Sequence, residues 1–339
     1  MGLEVNKTEF SSQEFERFRA KLFNNLDALQ ALLQQPGFGQ GKPTLGAELE
    51  LYIVDRQGRP LSVNSEIQQR LGDPQLTLEL NRYNLEYNLT PVNVAGQPFS
   101  QIETEIISVL QQLNRLALEH EGRVLAIGIL PTLQRSDFGI QVMTDLARYH
   151  ALTKALAQMR GELFSVKIDG ADPISLRASD VTLEGANTSL QMHYRVAPDD
   201  FAALYNAIQL ITPIVLAVSC NSPFLLGHRL WHETRIPLFK HAIDGRNHDF
   251  RVSHLPARVS FGNGWVRHGA YELFAEAVHL YPPILPICKR ESAQKKVANG
   301  EIPALFELTL HQGTVWPWNR PVYDPAGGGH LRIEMRALP

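Results

Sequence analysis

The chain has 339 residues, of which 44% are hydrophobic and 20% are charged, and its formal net charge is −3. These values are typical of a soluble globular protein with a proper core, and nothing in them suggests a bulk polyanion such as a nucleic acid as a partner. The only two cysteines, Cys220 and Cys288, are too few for a disulfide framework and fit a reducing cytoplasm.

The sequence predicts neither export nor a membrane span. Residues 1–17 are polar and include acids, so they do not resemble a secretory signal. The longest apolar stretch, residues 208–219, is interrupted by Thr212 and Pro213 and is too short to cross a bilayer. We therefore expect a cytoplasmic protein without a membrane partner, and the sequence does not indicate its oligomeric state.

Apolar residues at helical spacing predict three helices, and a fourth is expected to open at Pro198. The first of them has Ser11 or Ser12 as its N-cap and ends before Pro36. Proline in the first turn, followed by Asp199 and Asp200, is typical of a helix start. The three periodic segments are residues 11–34, 98–121 and 142–159.

Short apolar or alternating segments between the helices predict strands. They do not alternate with helices in βαβ order, and several show clean polar and apolar alternation. That pattern favours antiparallel pairing, with one face on the core and the other lining a cleft. No domain boundary is visible, so we expect a single catalytic domain over residues 1–339. The predicted strands are residues 45–54, 76–80, 85–90, 124–130, 188–196 and 330–337.

Glu48 and Glu50 lie two residues apart in the first predicted strand and therefore share one face, opposite Leu49 and Leu51. Two carboxylates held that close repel each other unless a cation lies between them, and Mg²⁺ takes such oxygen ligands. Taken alone, the pair could equally be a solvated strand face. Apolar neighbours on both sides favour a position deep in the fold.

A second acidic group consists of Glu79 and Glu86, which lie seven residues apart. The odd spacing would place them on opposite faces of a flat strand, so a hairpin or a bulge is needed to bring them together. The asparagine-rich segment between them could supply it. The alternative is a pair of exposed acids in a turn.

Two further strands carry polar groups on one face. Gln191, His193 and Arg195 alternate with apolar residues, which indicates a cleft wall able to meet a nucleotide.

Arg332, Glu334 and Arg336 share a face of the last strand, where a structural ion-pair network is the alternative to phosphate and metal binding. The glycine-rich residues 37–42 precede a strand instead of opening a helix, so they are a poor phosphate loop.

Several motifs in this order resemble the glutamate–cysteine ligase superfamily of carboxylate–amine ligases, and the bacterial family 2 type most closely. The opening motif is Gly-Ala-Glu-Leu-Glu at residues 46–50. The resemblance covers residues 40–339. The later motifs are residues 85–91, 187–193, 221–224, 234–235, 316–320 and 330–336.

The resemblance implies an α+β fold related to glutamine synthetase, in which a curved, mainly antiparallel sheet forms a funnel with helices packed outside. ATP, as a co-substrate, and two or three Mg²⁺ ions, which Mn²⁺ could replace, would lie in this funnel. By motif position, Gln191, His193 and Arg235 would line the nucleotide region. The implied metal ligands are Glu48, Glu50, Glu79, Glu86 and Glu334, and the implied contacts to phosphate or substrate carboxylate are Arg320, Arg332 and Arg336.

The resemblance also implies the reaction. ATP would phosphorylate a carboxylate, expected to be the γ-carboxylate of glutamate, and an amine would attack the acyl phosphate to give an amide. The substrates are then small molecules, and the sequence does not name the amine. A non-catalytic relative that binds a nucleotide or an amino acid as a sensor or partner module is the main alternative, and a metal-dependent amide hydrolase is a third. Relatives usually continue beyond the motif at residues 330–336, so we expect a domain truncated at its C-terminus.

Overall fold

The strand that carries Glu48 and Glu50 is the centre of the fold. The structure is a computed structural model, and it describes residue 7, residues 9–246 and residues 255–339. The helices are α1 Ser12–Leu33, α2 Asn64–Leu71, α3 Pro98–Leu118, α4 Ala147–Arg160, α5 Phe201–Ser219, α6 Arg235–Ala242, α7 Ala270–Leu280, α8 Ala293–Ala298 and α9 Phe306–Gln312. The strands are β1 Thr44–Val54, β2 Leu76–Leu78, β3 Asn84–Asn88, β4 Val92–Asn93, β5 Arg123–Leu125, β6 Phe164–Ile168, β7 Ile174–Ala178, β8 Leu190–Val196, β9 Phe224–Leu225, β10 His228–Arg229, β11 Val259–Ser260, β12 Trp316–Pro317, β13 Asn319–Asp324 and β14 His330–Met335.

The main sheet has the order β13-β14-β8-β1-β3-β2, and β4 and β5 pair with the two ends of β1. Every pair in this sheet is antiparallel. The sheet curls into a half-barrel, so the predicted α+β class with a curved, mainly antiparallel sheet is confirmed. Strands distant in sequence meet in the centre, which brings the predicted motifs onto one surface.

The outer face of the sheet is apolar and packs against a helix. Leu49, Leu51 and Ile53 of β1 are buried together with Ile102 and Leu113 of α3. Side chains alternate between the two faces of β1, so the residues between these apolar side chains point to the opposite face. Burying the apolar face therefore directs Glu48 and Glu50 into the concave side of the sheet.

Helix α1 begins as predicted, with Ser11 as its N-cap. The Ser11 hydroxyl accepts a hydrogen bond from the backbone N–H of Glu14, and the Glu14 carboxylate accepts one from the backbone N–H of Ser11. This capping box satisfies two amides that the helix itself leaves free. The predicted apolar stripe is buried in the larger core, including Phe18, Leu22 and Leu26.

Two predicted boundaries were wrong for identifiable reasons. The strand expected over residues 124–130 is only β5, because the chain then leaves the sheet toward the site through Gly128. The helix expected from residue 142 begins at Ala147. The residues before it pair with an extended segment instead, since Arg82 N–H donates to the Val142 carbonyl and Thr144 N–H donates to the Leu80 carbonyl.

One apolar helix is longer than the apolar stretch that the sequence predicted, and several elements were not predicted at all. Residues Pro198–Ser219 form a helical segment that is long and apolar enough to cross a membrane by length and composition alone. The apolar stretch expected over residues 208–219 extends back to Phe201, because the preceding residues of the helix are also largely apolar. Strand β13 was missed, although its pairing with β14 completes one wall of the site.

Candidate functional site

The strand register places the polar motifs in rows across the concave face. Glu334 of β14 lies opposite His193 of β8, which lies opposite Gly46 of β1. Gly46 has no side chain to fill the space beside the imidazole. The next row inward contains Glu48, which is opposite Gln191 on one side. The polar motifs of these three strands are therefore brought together by pairing between segments that are distant in the sequence.

Glu48, His193 and Glu334 form the first ligand group, which we call the His193 cluster. One potential ligand atom from each residue lies within 4.8 Å of the others. His193 is 7% exposed and Glu334 is fully buried. Such a group of one imidazole and two carboxylates can hold a divalent cation.

The His193 ring indicates that this cluster is built for a ligand. Its Nε2 atom lies 3.1 Å from a carboxylate oxygen of Glu48, but the contact lacks hydrogen-bond alignment. Neither ring nitrogen has a hydrogen-bond partner within the described part of the chain. A buried polar atom without a partner is costly, and a cation between the imidazole and the carboxylates would remove that cost.

Glu50, Glu79 and Glu86 form the second group, the Glu86 cluster, whose potential ligand oxygens also lie within 4.8 Å of one another. Glu50 and Glu86 are directly opposite in the β1–β3 pair. Gln191 Nε2 and Ser189 Oγ each donate to the Glu50 carboxylate at 2.9 Å. Because Gln191 touches Glu50 while it lies opposite Glu48, it joins the two clusters.

A hairpin delivers Glu79 to the second cluster, as its spacing required. Strand β2 ends at Leu78, and residues 79–83 turn the chain into β3. Buried Asn81 fixes this turn, since its Nδ2 atom donates to Tyr83 Oη at 2.8 Å and to the Thr182 carbonyl at 2.9 Å. Glu79 and Glu86 are therefore close together and are not a pair of exposed turn acids.

The pKa values of the Glu86 cluster show carboxylates that lack a positive partner. Burial, followed by the charge of Glu86, raises the pKa of Glu50 to about 8, although Arg235 opposes the shift. Burial and the charges of Glu86 and Glu50 raise the pKa of Glu79 well above its usual range. Burial and the charge of Glu48 raise the pKa of Glu86. An all-oxygen group with these properties suits a hard cation such as Mg²⁺.

In the His193 cluster, neighbouring positive charges outweigh burial, and the pKa values of the carboxylates are lowered. Burial would raise the pKa of Glu48, but the adjacent His193 lowers it to about 2. Burial would likewise raise the pKa of Glu334, but Arg320, Arg336 and His193 hold it well below its usual range. These two carboxylates are therefore ionised at neutral pH, with cationic side chains already beside them.

Glu334 lies between two guanidiniums, as predicted. They belong to Arg320 and Arg336, whereas the predicted pair was Arg332 and Arg336. Arg320 of β13 binds Glu334 through two hydrogen bonds, of 2.5 and 3.0 Å, and Arg336 donates to it at 2.6 Å. Arg336 also donates to Gln191. Arg332 lies one row further out and pairs with Asp324 at 3.4 Å. Arg320 was predicted as a site residue. Its contact with Glu334 was not predicted, because it depends on the pairing of β13 with β14.

Arg235 begins α6 and is 3% exposed. Its Nη1 atom donates to Glu233 at 3.1 Å and to the Ala337 carbonyl at 3.0 Å. Burial lowers its pKa, whereas the charges of Glu233 and Glu50 raise it. Arg235 therefore contributes positive charge near Glu50, while Gln191 and His193 belong to the sheet itself.

Glu184 is an acidic residue of the site that sequence reasoning missed. Burial and the charge of Glu79 raise its pKa to about 8, and the charge of Arg336 opposes them. The turn behind it is fixed because Tyr52 Oη donates to the Ala186 carbonyl at 2.6 Å. Arg148, also missed, lies near Glu79 and lowers its pKa. Neither residue belongs to an alternating motif, so no sequence pattern identified them.

The family model described as Glutamate-cysteine ligase family 2 (GCS2) matches residues 44–273, which is more than half of the chain. The chain belongs to glutamate–cysteine ligase family 2. The matched residues include β1, β3 and β8 and extend into α7. They contain His193 and all of the predicted carboxylates except Glu334.

Individual relatives within glutamate–cysteine ligase family 2 are distant. A Sorangium cellulosum protein named "Putative glutamate--cysteine ligase 2" is 29% identical over 210 residues, which are 60% of this chain and 49% of that protein. A protein of the same name from Chloroflexus aurantiacus is 28% identical over 188 residues, covering 54% of this chain and 41% of that protein. The match thus spans about half the length of these relatives, or less.

Two solved structures show only a general likeness to this family 2 chain. The glutamate–cysteine ligase of Francisella tularensis in complex with AMP has a TM-score of 0.44 at 12% identity, over 89% of this chain and 62% of that one. A bifunctional glutathione synthetase from Pasteurella multocida has a TM-score of 0.39 at 10% identity, over 94% of this chain and 37% of that one. Neither likeness is close enough to assign a residue.

Proposed function

We propose that this protein is an ATP-dependent carboxylate–amine ligase that forms an amide, with glutamate as the carboxylate donor, through an acyl phosphate. The observation that carries the proposal is the pair of adjoining ligand clusters, joined by Gln191, on one face of the sheet in a family 2 chain. ATP and the amino acid would be its substrates. Divalent cations, Mg²⁺ or Mn²⁺, would be its cofactors.

The residues present fit such cations. The Glu86 cluster offers only carboxylate oxygens, and the His193 cluster adds an imidazole that has no hydrogen-bond partner within the described part of the chain. When bound, divalent cations would neutralise the ATP phosphates and polarise the phosphoryl group that is transferred. Neutralisation is the main requirement of this chemistry, because the transition state carries charge on several phosphoryl oxygens.

The chain's own residues would orient the reactants. Gln191 and Ser189 hold the Glu50 carboxylate in place through two hydrogen bonds. Thr77 and Asn88 each donate to the Glu86 carboxylate at 3.0 Å. Arg336, half-buried beside both clusters, would stabilise negative charge on the transferring phosphoryl group or on the substrate carboxylate.

The amide-forming step needs the amine to lose a proton as its nitrogen attacks the acyl carbon. The bond from that carbon to the phosphate oxygen then breaks, and inorganic phosphate leaves. Glu184 and Glu50 have pKa values raised to about 8, so both are mainly protonated at neutral pH and only the ionised fraction of either would accept this proton. Glu184 belongs to neither ligand cluster and is thus the better candidate for this role.

A mass-spectrometric screen tests the proposal directly. Purified protein is incubated with Mg²⁺, ATP, glutamate and pooled amines, and both ADP and new amides are measured. We expect equal amounts of ADP and one amide, and no ADP when glutamate, the amine or Mg²⁺ is omitted. ATP hydrolysis that does not depend on an amine or on glutamate would contradict the proposal.

A binding protein without turnover is the second candidate, and one observation favours it. Both oxygens of Glu334 already accept hydrogen bonds from Arg320 and Arg336, which compete with a cation for this carboxylate. Titration calorimetry with Mg²⁺ and ATP, run beside the product screen, separates the two functions. Nucleotide binding without any amide would favour the binding protein.

A further inference from the structure

Two arginines face each other just beyond the His193 cluster. Arg195 of β8 and Arg332 of β14 are direct partners in the strand register, two residues along from the pair formed by His193 and Glu334. Side chains two apart on a strand share a face, so both guanidiniums extend from the face that carries the cluster. Like charges directly opposite each other destabilise a sheet unless an anion lies between them.

The protein itself neutralises this pair incompletely. Arg332 approaches Asp324 at 3.4 Å, and His330 shares the same carboxylate at 3.9 Å. Arg195 donates to a backbone carbonyl, that of Gln40, at 3.1 Å. The Nε atoms of both arginines are buried and have no hydrogen-bond partner within the described ranges. Within the described residues only Arg332 of this pair contacts a carboxylate, and the Nε donors of both guanidiniums remain unpaired.

The glycine-rich segment that precedes β1 holds Arg195 in position. A Cβ atom at Gly41 would lie 2.7 Å from Nη2 of Arg195, and the φ of Gly41 is +152°, which other residues rarely adopt. Glycine at this position thus lets the backbone approach the guanidinium while the preceding carbonyl accepts its hydrogen bond. The glycine-rich residues 37–42, a poor phosphate loop by sequence, thus contact an arginine side chain.

We propose that Arg195 and Arg332 form a clamp for the nucleotide polyphosphate, with Arg195 as a further substrate-binding residue positioned by Gly41. Two residues along a strand cover about 6.7 Å, so the clamp lies beyond the reach of a single phosphate held at the His193 cluster. A chain of phosphates spans that distance. Guanidiniums bind phosphate oxygens with two hydrogen bonds each. The inference rests on the proposed ATP-dependent function. It adds that the phosphates lie at the end of the site where Arg195 and Arg332 face each other.

Substitution of Arg195 tests the clamp. For Arg195→Gln we expect the KM for ATP to rise about tenfold or more, since charge-assisted hydrogen bonds are lost, while the KM for glutamate changes less than twofold. Arg229→Gln is the matched control, because Arg229 is exposed and pairs with Asp172 away from the sheet, and it should leave both constants unchanged. An unchanged KM for ATP, or a rise confined to glutamate, would overturn the clamp.

Gly41→Ala provides a second variant that leaves both arginines in place. The new methyl group would displace the Arg195 guanidinium, so we expect a smaller rise in the KM for ATP of about threefold to tenfold. In the Arg195→Gln background the same change should add nothing, because the two substitutions act through one contact. Independent, multiplying effects of the two substitutions would contradict the positioning role.

Nucleotide binding measured by calorimetry separates this inference from the proposed function. With Mg²⁺ present, Arg195→Gln should weaken ATP and ADP about tenfold and leave adenosine unaffected. If the wild-type protein binds MgATP but makes no amide, the ligase proposal fails while the clamp is still tested. Equal binding of ATP by the wild type and by Arg195→Gln overturns the clamp whether or not the enzyme turns over.

Discussion

The surroundings of Glu50 suit the cation that we propose for this site. It is held by Ser189 and Gln191, lies opposite Glu86, and has a pKa raised to about 8 by burial first and by Glu86 second. In the metal-free protein near neutral pH it is therefore mainly protonated. A cation would replace the proton and would also relieve the repulsion among the three carboxylates of the Glu86 cluster.

Glu50→Gln should separate metal binding from stability. Since glutamine resembles the protonated carboxyl group, we expect the metal-free free energy of unfolding at pH 7 to change by only about 1 kcal/mol or less. Affinity for Mn²⁺, measured by calorimetry, should fall about tenfold or more, and turnover should be abolished. Exposed Glu66→Gln is the matched control. Retained turnover would contradict a metal role for Glu50.

For single residues, the sequence predicted the neighbours on one strand face but did not predict most residues that turns bring to the site. Alternation alone placed Glu48 beside Glu50 and placed His193 beside Gln191. Spacing also required the turn that carries Glu79. Glu184 and the pairing of Arg320 with Glu334 depended on a turn and a hairpin that the sequence did not reveal. All eleven predicted site residues lie on or beside the concave face, and their roles remain predictions.

Among the elements, the turn before β8 controls the geometry of the site through close contact with the β2–β3 turn. A Cβ atom at Gly185 would lie 2.4 Å from Nδ2 of Asn81, the residue that fixes the turn after Glu79. Both turns are pinned by buried hydrogen bonds, so neither can move freely. The relative positions of Glu79 and Glu184 therefore depend on the absence of a side chain at residue 185.

Gly185→Ala should disturb both the fold and the Glu86 cluster. Overpacking at a fixed contact typically costs about 1–3 kcal/mol, and we expect that loss in urea unfolding together with weaker Mn²⁺ binding. Gly264→Ala is the control, because its Cβ atom would meet open space and Gly264 does not have a positive φ. Equal behaviour of the two variants would show that the turn contact is not important.

For the elements as a whole, periodicity predicted those whose faces differ in polarity. The helices α1 and α3 and the strands β1 and β8 were found because one side of each packs on a core. Strand β13 was missed because burial alternates along Asn319–Asp324 but polarity does not, since the buried positions include Pro321 and the polar Asn319. The start of α4 was missed because tertiary pairing at residues 142–144 overrides helical periodicity.

Across the molecule, the raised pKa values in the acidic centre of the sheet make the free energy of unfolding depend on pH. The pKa values of Glu50 and Glu184 are about 8, above the unfolded value of 4.5, so the folded protein keeps protons that the unfolded chain releases. Their contribution to stability is fully present below about pH 4.5 and declines as the pH rises toward 8. Glu48, with a pKa of about 2, behaves oppositely, and its contribution is lost as the pH falls below 4.5 toward 2.

We therefore expect the metal-free protein to be less stable at about pH 8 than at about pH 5.5. Urea unfolding in EDTA would show the difference in the midpoint. Mn²⁺ or Mg²⁺ should raise the midpoint more at the higher pH, because binding requires ionised carboxylates. Stability that rises with pH in EDTA would contradict the pKa directions assigned to Glu50 and Glu184.

The most direct test of the central claim follows one oxygen atom through the reaction. Glutamate labelled with ¹⁸O in its γ-carboxylate is incubated with the protein, Mg²⁺, ATP and an amine that the screen identifies. If the carboxylate is phosphorylated before the amine attacks, one labelled oxygen leaves with the phosphate, and the inorganic phosphate should carry one ¹⁸O for each amide formed. Amide formation with unlabelled phosphate would contradict the account.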